Sequence, residues 1–414
     1  MTTNKPVIAL LGGMNLTAQN VYRTGVEYLE KQFDVVVFDC RPFLQRPIDP
    51  RIEIDSRFRR VYQLTSLEDL VSILQSLKPV YAIDFIGPCR EMKLIQPALR
   101  IAGCKFVIQK LGQLPQPSLF QRRLNQFLFI LKLLVRQRSH KELTQVNSRD
   151  ISSQALGYTS SISKVREIVF RYFETKYYGK ADIALAAGRQ AIKSCSKMAH
   201  QTLSVKSTDS HMFAQATRTY SRDHLRGISD NYALFIDDAL VHATDWALLS
   251  QESPVEATSY YRQLNDFLLQ IEKSRKISVI IAGHPQASNN LDYISKFDGR
   301  PVYFDCTPNL VLGCRFAIAH ASTAISYAVI SYKPMVIVSN SDLHKSAYGG
   351  NIRNMAKALG VSVNMMDHFA PAIMVPEQPN KQYAKYRQKL LYDKNCTENE
   401  PWEEFLSFTD GTES

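Results

Sequence analysis

The chain has 414 residues, 45% of them hydrophobic, and a formal net charge of +11. This length suits two domains of roughly 150–200 residues each, and the composition excludes a collagen-like, disordered or disulfide-scaffolded protein. A basic balance favours anionic partners, which include nucleic acid, membrane headgroups and phosphorylated substrates.

The cysteines and the N-terminal residues indicate where the protein works. The seven cysteines include no CxxC pair, which is typical of reduced thiols in a cytosolic protein. The apolar run Val7–Leu11 is short and ends in Gly12-Gly13, so it predicts a first strand rather than a secretory signal. No window reaches the ~18 apolar residues of a membrane span. We expect a cytoplasmic protein that is either soluble or peripheral at the inner membrane.

Strand and helix signals alternate along the first part of the chain. Short apolar or β-branched runs predict strands at Pro6–Leu11, Phe33–Phe38, Val80–Phe85 and Lys105–Gln109. Helical stretches lie between them at Ala18–Lys31, Leu67–Leu77 and Glu91–Ala102. This alternation predicts a parallel sheet with helices on both faces.

The glycine pair Gly12-Gly13 follows the first predicted strand. Two interpretations are open. The pair is either a tight strand-to-helix turn or a turn that cradles a phosphate, although it lacks the GxGxxG pattern of dinucleotide sites. In a two-domain transferase this turn would face the cleft, so both glycines are candidate donor-binding residues.

A basic segment follows. Between Met92 and Lys141 there are ten Lys or Arg residues and no acidic residue. Within this segment Leu119–Val135 repeats Phe and Leu at helical spacing, with basic residues beside the apolar stripe. Such a helix either lies on an anionic membrane surface or packs on its own domain.

The end of the first half is less regular. The polar stretch Ser139–Ser163 predicts a loop or insertion, and Val165–Tyr178 predicts a helix. Ile183–Ala187 predicts the last strand of the first domain, and residues 189–230 give no clear signal.

The second half repeats the alternation. Strands are predicted at Tyr232–Ile236, Ile277–Ala282, Val302–Asp305, Phe316–His320 and Met335–Val338. Helices are predicted at Ser259–Lys273, Pro308–Leu312, Ala324–Ser331 and Tyr383–Leu391, and a polar tail follows the last of them. We therefore expect an α/β fold with two Rossmann-like, doubly wound domains facing a cleft. The predicted boundaries are 1–228, with a basic amphipathic insertion near 118–165, then 229–380, then a C-terminal helix and tail at 381–414.

Two strand ends of the second half carry polar side chains suited to a phosphate. Ser322-Thr323 lies between a strand and a helix, where free N–H groups and the helix dipole favour an anion, although Ser and Thr are also preferred helix caps. His284-Pro285 follows the strand Ile277–Ala282. Its imidazole suits a phosphate leaving group, and the proline restricts the backbone. Ligands of open α/β sheets bind at such strand ends.

Asp237-Asp238 follows the strand Tyr232–Ile236. One carboxylate is a candidate general base, whereas two adjacent side chains diverge and do not form a joint metal site. A solvated turn is the alternative. His320 is interpreted as a core histidine with satisfied hydrogen bonds. No metal ligand set is predicted.

The second half resembles bacterial surface-polysaccharide glycosyltransferases of the GT-B type, and is similar to the CMP-sugar-dependent sialyltransferases and Kdo transferases. The resemblance rests on Phe235-Ile236-Asp237-Asp238, Tyr260-Tyr261-Arg262-Gln263-Leu264, Val279-Ile280-Ile281-Ala282-Gly283-His284-Pro285, Thr307-Pro308-Asn309-Leu310-Val311, His320-Ala321-Ser322-Thr323-Ala324-Ile325-Ser326 and Lys333-Pro334. It covers about residues 231–340, and the sequence departs from it at Ala239, where the family has Gly.

The resemblance implies a glycosyltransferase that is nucleotide-sugar dependent and independent of metal or other cofactors. It implies catalytic roles for His284, Asp237 and Asp238, with Asp84 as an alternative base. The donor-binding residues that it implies are Pro285, Ser322, Thr323 and Ser326, beside Gly12 and Gly13. The expected donor is a nonulosonic acid or Kdo linked to CMP. The expected acceptor is a capsule, lipopolysaccharide or lipid-linked glycan.

Three alternatives stay open. Teichoic-acid type CDP-polyol phosphotransferases also pair a His-Pro with a later Ser-Ser or Ser-Thr. An NDP-sugar epimerase shares the two-domain architecture. A polysaccharide-assembly scaffold built on the basic segment is the non-enzyme reading. We expect peripheral contact with an anionic membrane and no nucleic-acid partner, because basic and aromatic residues are not interleaved as in nucleic-acid readers.

Overall fold

We describe the protein from a computed structural model. The structure describes residues 5–412 except 47, 49–52, 88, 90, 117–178, 220–227, 229–230, 242–252, 289, 369–374, 376–380, 395 and 397–398. The chain divides into two compact units, Met1–Pro115 with Lys180–Ser414, and Gln116–Gly179. The predicted elements Leu119–Val135, Ser139–Ser163 and Val165–Tyr178 lie outside the described residues, so those predictions stay untested.

The first sheet has seven parallel strands in the order β3-β2-β1-β4-β5-β6-β7. The strands are β1 Val7–Gly12, β2 Asp34–Asp39, β3 Val61–Gln63, β4 Tyr81–Phe85, β5 Lys105–Lys110, β6 Ala181–Ala187 and β7 Ala199–Val205. The helices of this half are α1 Ala18–Thr24, α2 Val26–Leu29, α3 Leu67–Leu77, α4 Met92–Ile101, α5 Gly188–Met198 and α6 Thr208–Thr219. Its central strands are continuous buried runs, as expected when helices cover both faces of a parallel sheet.

Helix boundaries follow local chemistry. α3 begins in a capping box, because the Ser66 hydroxyl accepts from the Asp69 N–H and the Asp69 carboxylate accepts from the Ser66 N–H. The single helix predicted at Ala18–Lys31 is wrong. Gly25 adopts a left-handed conformation with φ +67°, which ends α1 and starts α2.

The prediction that Ile183–Ala187 is the last strand of the first sheet is also wrong. β7 follows it and pairs with β6 along its whole length. β7 is the edge strand, and its burial is mixed, with exposed His200 and Gln201. An edge strand of this kind lacks the continuous apolar run that marks a central strand.

The second sheet has six parallel strands in the order β10-β9-β8-β11-β12-β13. The strands are β8 Tyr232–Ile236, β9 Ser278–Ala282, β10 Val302–Tyr303, β11 Ala317–Ala319, β12 Met335–Ser339 and β13 Val363–Met365. The helices are α7 Ala257–Arg275, α8 Leu291–Ser295, α9 Thr307–Gly313, α10 Ile325–Ile330, α11 Ser341–Lys345, α12 Gly349–Leu359, α13 Gln382–Leu390 and α14 Pro401–Thr412. Two parallel α/β sheets confirm the predicted fold class, and the domain boundaries stay a prediction.

The C-terminal residues do not form the predicted polar tail. Trp402, Phe405 and Leu406 of α14 are buried in the core of the first sheet, where the Trp402 ring lies 5.9 Å from that of Phe85. The Trp402 ring also fills the space that a side chain at Gly25 would need. This helix has only a few large apolar residues in a polar sequence, so its composition did not predict a buried helix. Among the helices of the described residues, none has the length and apolarity needed to cross a bilayer.

Candidate functional site

The C-terminal edge of the second sheet brings the predicted residues of that half together. β9, β8 and β11 are neighbours, and all run in the same direction. Their ends therefore place His284, Asp237-Asp238 and Ser322-Thr323 side by side along one edge. This edge is where open α/β sheets bind ligands.

Asp237 is buried, with 3% of its surface exposed. Its Oδ2 accepts hydrogen bonds from the Tyr293 hydroxyl at 2.7 Å and from the Ala239 N–H at 2.9 Å. Its Oδ1 is buried without a hydrogen-bond partner. Burial raises the pKa of Asp237 to about 7, the Tyr293 hydrogen bond opposes that rise, and the charge of Asp238 adds to it.

Ala239 stands where the resembling family has glycine, and its φ of +47° is left-handed. The departure from the motif therefore keeps a backbone conformation that glycine adopts freely, at a cost of about 1 kcal/mol for a residue with a Cβ. The Ala239 N–H reaches the Asp237 carboxylate because the chain turns here.

The His284-Pro285 turn is tied to the same carboxylate. The His284 N–H donates to the Tyr293 hydroxyl at 3.2 Å, and that hydroxyl donates to Asp237. A Cβ on Gly283 would lie 2.5 Å from the Phe304 ring, so only glycine fits before the histidine. Pro285 begins one turn of 3₁₀ helix. The backbone of His284 is therefore fixed from both sides, and its side chain is half-buried.

Asp238 forms its hydrogen bonds towards the Ser322-Thr323 turn and not towards His284. Its Oδ2 accepts from the Ala321 N–H at 3.1 Å and from the Tyr348 hydroxyl at 2.6 Å. Ala321 directly precedes Ser322-Thr323, so Asp238 ties the end of β8 to that turn. The two adjacent carboxylates diverge, as predicted, and each holds one of the two turns.

Ser322, Thr323 and Ser326 differ in exposure. Thr323 is exposed and Ser322 is partly buried, with its Oγ accepting from the Ala324 N–H at 3.3 Å. Ser326 is buried, and its hydroxyl hydrogen-bonds with Asp209 on α6 and with Tyr386 on α13. Burial raises the pKa of Asp209 to about 6, and the Ser326 hydrogen bond opposes this. Ser322 and Thr323 therefore lie near the surface, whereas the Ser326 hydroxyl is buried and interacts with other side chains of the protein.

His320 is the core histidine that the sequence predicted. Its Nδ1 lies 2.8 Å from the Val338 carbonyl, which only accepts, so Nδ1 carries the proton. Its Nε2 then accepts from the Tyr260 hydroxyl at 2.8 Å. Burial lowers the pKa of His320, which keeps the ring neutral.

Gly12-Gly13 ends β1, a strand of the first sheet, so the strand order does not join it to His284 and Ser322. The Arg46 guanidinium lies over Gly13 and donates to its carbonyl at 2.7 Å and to the Ile86 carbonyl at 3.3 Å. A side chain on Gly13 would overlap Arg46. The lack of a side chain at Gly13 therefore allows the Arg46 guanidinium to lie against the backbone.

Asp84 ends β4, the neighbour of β1. Its Oδ1 accepts from the N–H groups of Ile86 and Gly87, at 2.8 and 3.1 Å. Burial raises the pKa of Asp84 to about 6, and these hydrogen bonds and the charge of Arg46 oppose the rise. A carboxyl group that titrates near neutral pH is suited to proton transfer.

Sequence reasoning missed Tyr293 and Tyr348, which join the aspartates to their surroundings. Neither tyrosine stands in a recognisable motif, and each lies far along the chain from its carboxylate. Within the part of the chain that the structure describes, no group of three His, Cys, Asp or Glu side chains is placed to hold a metal ion.

Comparison with known proteins gives likeness of fold only. No protein-family profile and no curated protein sequence matches the chain. The MurG structure from Acinetobacter baumannii is 10% identical with a TM-score of 0.46, covering 98% of this chain and 99% of that one. A putative UDP-N-acetylglucosamine 2-epimerase from Listeria monocytogenes is 11% identical, with a TM-score of 0.46 and coverage of 99% and 97%. The wall teichoic acid polymerase TagF is 12% identical, with a TM-score of 0.46 and coverage of 99% and 90%. The fold class rests on the two strand orders and not on these alignments.

Proposed function

We propose that the protein is a glycosyltransferase that moves a sugar from a nucleotide-linked donor, with the donor phosphate at the C-terminal edge of the second sheet. One observation carries this proposal. Adjacent carboxylates of β8 hold the His284 turn and the Ser322-Thr323 turn in place, Asp237 through Tyr293 and Asp238 through the Ala321 N–H. Polar donors held in fixed positions before the ligand arrives are what anion binding at a reaction centre requires.

The proposed chemistry follows from these groups. The bond between the sugar's anomeric carbon and the donor phosphate breaks, and the electron pair leaves with the nucleotide. A protonated His284 and the hydroxyls of Ser322 and Thr323 hydrogen-bond the phosphate oxygens as their negative charge grows. Pro285 restricts the turn that presents the imidazole. The acceptor hydroxyl oxygen forms the new bond to the anomeric carbon, and a carboxylate takes the proton of that hydroxyl.

We assign that carboxylate to Asp84. Its side chain is partly accessible and its pKa is raised to about 6, so it is ionised at neutral pH yet remains basic enough to accept a proton. The catalytic role predicted for Asp237 and Asp238 stays a prediction, and their hydrogen bonds support a positioning role for both. In this proposal the first sheet binds the acceptor.

The donor class follows from the sequence resemblance, which favours a CMP-linked nonulosonic acid or Kdo. A thermal-shift panel of CMP, CDP and UDP tests it. Ligand at a hundred times its Kd adds about 2.7 kcal/mol to the free energy of unfolding. Because the proposal makes CMP the tightest-binding of the three nucleotides, CMP should raise the melting temperature most. If none of the three nucleotides raises it, the nucleotide site is refuted. Preference for CDP with polyol transfer would support the phosphotransferase alternative.

Replacing His284 with alanine tests the leaving-group role. We expect transfer to fall to background while circular dichroism and the melting temperature stay close to wild type, because the side chain is half-buried and its backbone carries the hydrogen bond to Tyr293. His200→Ala, on an exposed position of β7, is the matched control. Retained turnover in His284→Ala would contradict the assignment. Conversion of a nucleotide sugar without any acceptor would instead identify an epimerase.

The proposed acceptor is a surface glycan or a lipid-linked glycan, reached from the cytoplasmic face of the membrane. The support is the basic segment that begins at Met92, since anionic lipid attracts Lys and Arg near a membrane surface. Co-sedimentation with vesicles of anionic and of neutral lipid tests the membrane contact. Equal binding to both would refute it.

A further inference from the structure

An aspartate that the sequence motifs do not include, Asp305, lies two residues after β10, the strand next to β9. β10 pairs with β9 in the register Val302 to Ile281 and Tyr303 to Ala282. The Gly283 N–H continues this pairing by donating to the Tyr303 carbonyl at 2.8 Å. Asp305 and His284 each lie two residues beyond the last paired residues, Tyr303 and Ala282, at the C-terminal edge of the sheet.

The backbone at Asp305 is unusual. Its φ of +56° lies in the left-handed region, which residues other than glycine, asparagine and aspartate seldom adopt. Phe304 packs against Gly283 and lies 6.1 Å, ring to ring, from Tyr293. Phe304 is therefore partly buried, and the chain turns sharply at Asp305, which is exposed.

The charges of the two residues act on each other. Partial burial raises the pKa of Asp305, and the charge of His284 lowers it. The backbone N–H of His284 donates to the Tyr293 hydroxyl, which in turn donates to Asp237. Cys306 follows Asp305 and contributes a thiol whose pKa is raised to about 11 by burial, so it is neutral near pH 7. Asp305 is thus an exposed negative charge that acts on His284, whereas Asp237 is buried and hydrogen-bonded to Tyr293.

We propose that Asp305 is a positioning residue for His284, which holds the imidazole in its protonated form towards the phosphate of the donor. The role in phosphate binding rests on the proposed function, but the electrostatic pairing of the two side chains does not. A carboxylate beside an imidazole favours its charged form and orients its N–H groups. With the imidazole charged, both of its nitrogens are donors, and the hydroxyls of the Ser322-Thr323 turn are able to donate to the same anion.

The titration of His284 tests the pairing without any substrate. Proton–nitrogen spectra of histidine-labelled protein follow each imidazole with pH, and His284→Asn assigns the signal. Asp305→Asn should lower the titration midpoint of His284 by about half a pH unit, the size expected for one opposite charge near a solvated surface. Asparagine tolerates the left-handed backbone. Asp305→Gly, which tolerates it too, should give the same shift and guards against a local refolding of the asparagine variant.

Asp298→Asn is the matched control. Asp298 also adopts a left-handed conformation, with φ +50°, and is exposed in the same domain. Its replacement should leave the His284 midpoint unchanged. An unchanged midpoint in both Asp305 variants overturns the proposal, and so does an equal shift in the Asp298 control.

Nucleotide binding then separates this proposal from the proposed function. If the wild type binds CMP, Asp305→Asn should weaken the Kd about twofold at the pH where half of the wild-type His284 is charged, because the charged fraction falls to about one quarter. Unchanged affinity would overturn the role of Asp305 at the phosphate. If the wild type binds no nucleotide while the His284 midpoint still shifts, the pairing is correct and the glycosyltransferase function is refuted.

Discussion

Asp237→Asn makes it possible to measure how much folding stability is lost when the buried Asp237 carboxyl group ionises. In the folded protein burial raises the pKa of Asp237 to about 7, from an ordinary value of 3.8. A carboxyl group with a raised pKa binds protons more tightly in the folded state than in the unfolded chain. It therefore favours folding at low pH, and this contribution is lost as the pH rises from about 4 to about 7. The full difference corresponds to about 4 kcal/mol.

Between pH 5 and pH 8, the wild type should lose about 3 kcal/mol of stability through this one group, and the asparagine variant should not. Asparagine keeps an oxygen for the hydrogen bonds from Tyr293 and Ala239. Its amide nitrogen takes the place of Oδ1, which has no hydrogen-bond partner, and costs about 1–3 kcal/mol at every pH. The constant cost cancels when the same variant is compared at two pH values.

The assay is urea denaturation followed by circular dichroism at pH 5, 6.5 and 8. Subtracting the wild-type free energy of unfolding from that of the variant should give a value that rises with pH by about 3 kcal/mol. Asp298→Asn, at an exposed position, is the control and should give a flat difference. A flat difference for Asp237→Asn would refute the conclusion that burial decides the ionisation of this carboxyl group.

Three further outcomes are expected. Gly25→Ala should cost about 3 kcal/mol or more, because the left-handed backbone is strained by a Cβ and the new methyl overlaps the Trp402 ring. Gly299→Ala, with φ +73° and open space around it, should cost only about 1 kcal/mol, and equal melting temperatures for the two variants would contradict this. In the wild type the rate of transfer should rise as the pH increases through about 6, following ionisation of Asp84. Asp84→Asn should abolish transfer, and a variant that keeps both the rate and its pH profile would exclude Asp84 as the base. Tyr348→Phe removes the hydrogen bond to the Asp238 carboxylate and should lower the free energy of unfolding, measured by urea denaturation, by about 1–3 kcal/mol. Nucleotide affinity should fall as well. Unchanged stability and affinity would show that this hydrogen bond does not hold the Ser322-Thr323 turn in place.

The sequence predicts the central strands well, because a strand buried on both faces of a parallel sheet is a continuous apolar run. Tyr232–Ile236 was predicted with the bounds that the structure shows. β7 was not predicted because only two of its seven residues are buried, so it has no continuous apolar run. The break between α1 and α2 was not predicted because an isolated glycine is tolerated inside helices. Only the fold shows that Gly25 is left-handed and that the Trp402 ring fills the space of a Cβ there.

The sequence indicates which residues lie at the sheet edge of the candidate site, but not which side chains form hydrogen bonds with them. His284 and Ser322 were identified because each follows an apolar strand, and strand ends of one sheet meet at one edge. Tyr293 was not, because its bond to Asp237 joins residues 56 positions apart, and no local pattern marks such a contact. The divergence of Asp237 and Asp238 was predicted from strand geometry, but the partner of each carboxylate became visible only in the fold.

The last helix has a consequence for the order in which the protein is made. Trp402, Phe405 and Leu406 belong to a core whose other members lie between Ile8 and Val205. The ribosome therefore synthesises every strand of the second sheet before it supplies the residues that close the first core. Domains of a nascent chain usually fold in order from the N-terminus. Among the described residues, the core of the first sheet is complete only with residues beyond 400, whereas the last buried member of the second sheet's core is Leu391. The second core is therefore the one whose residues are all synthesised first.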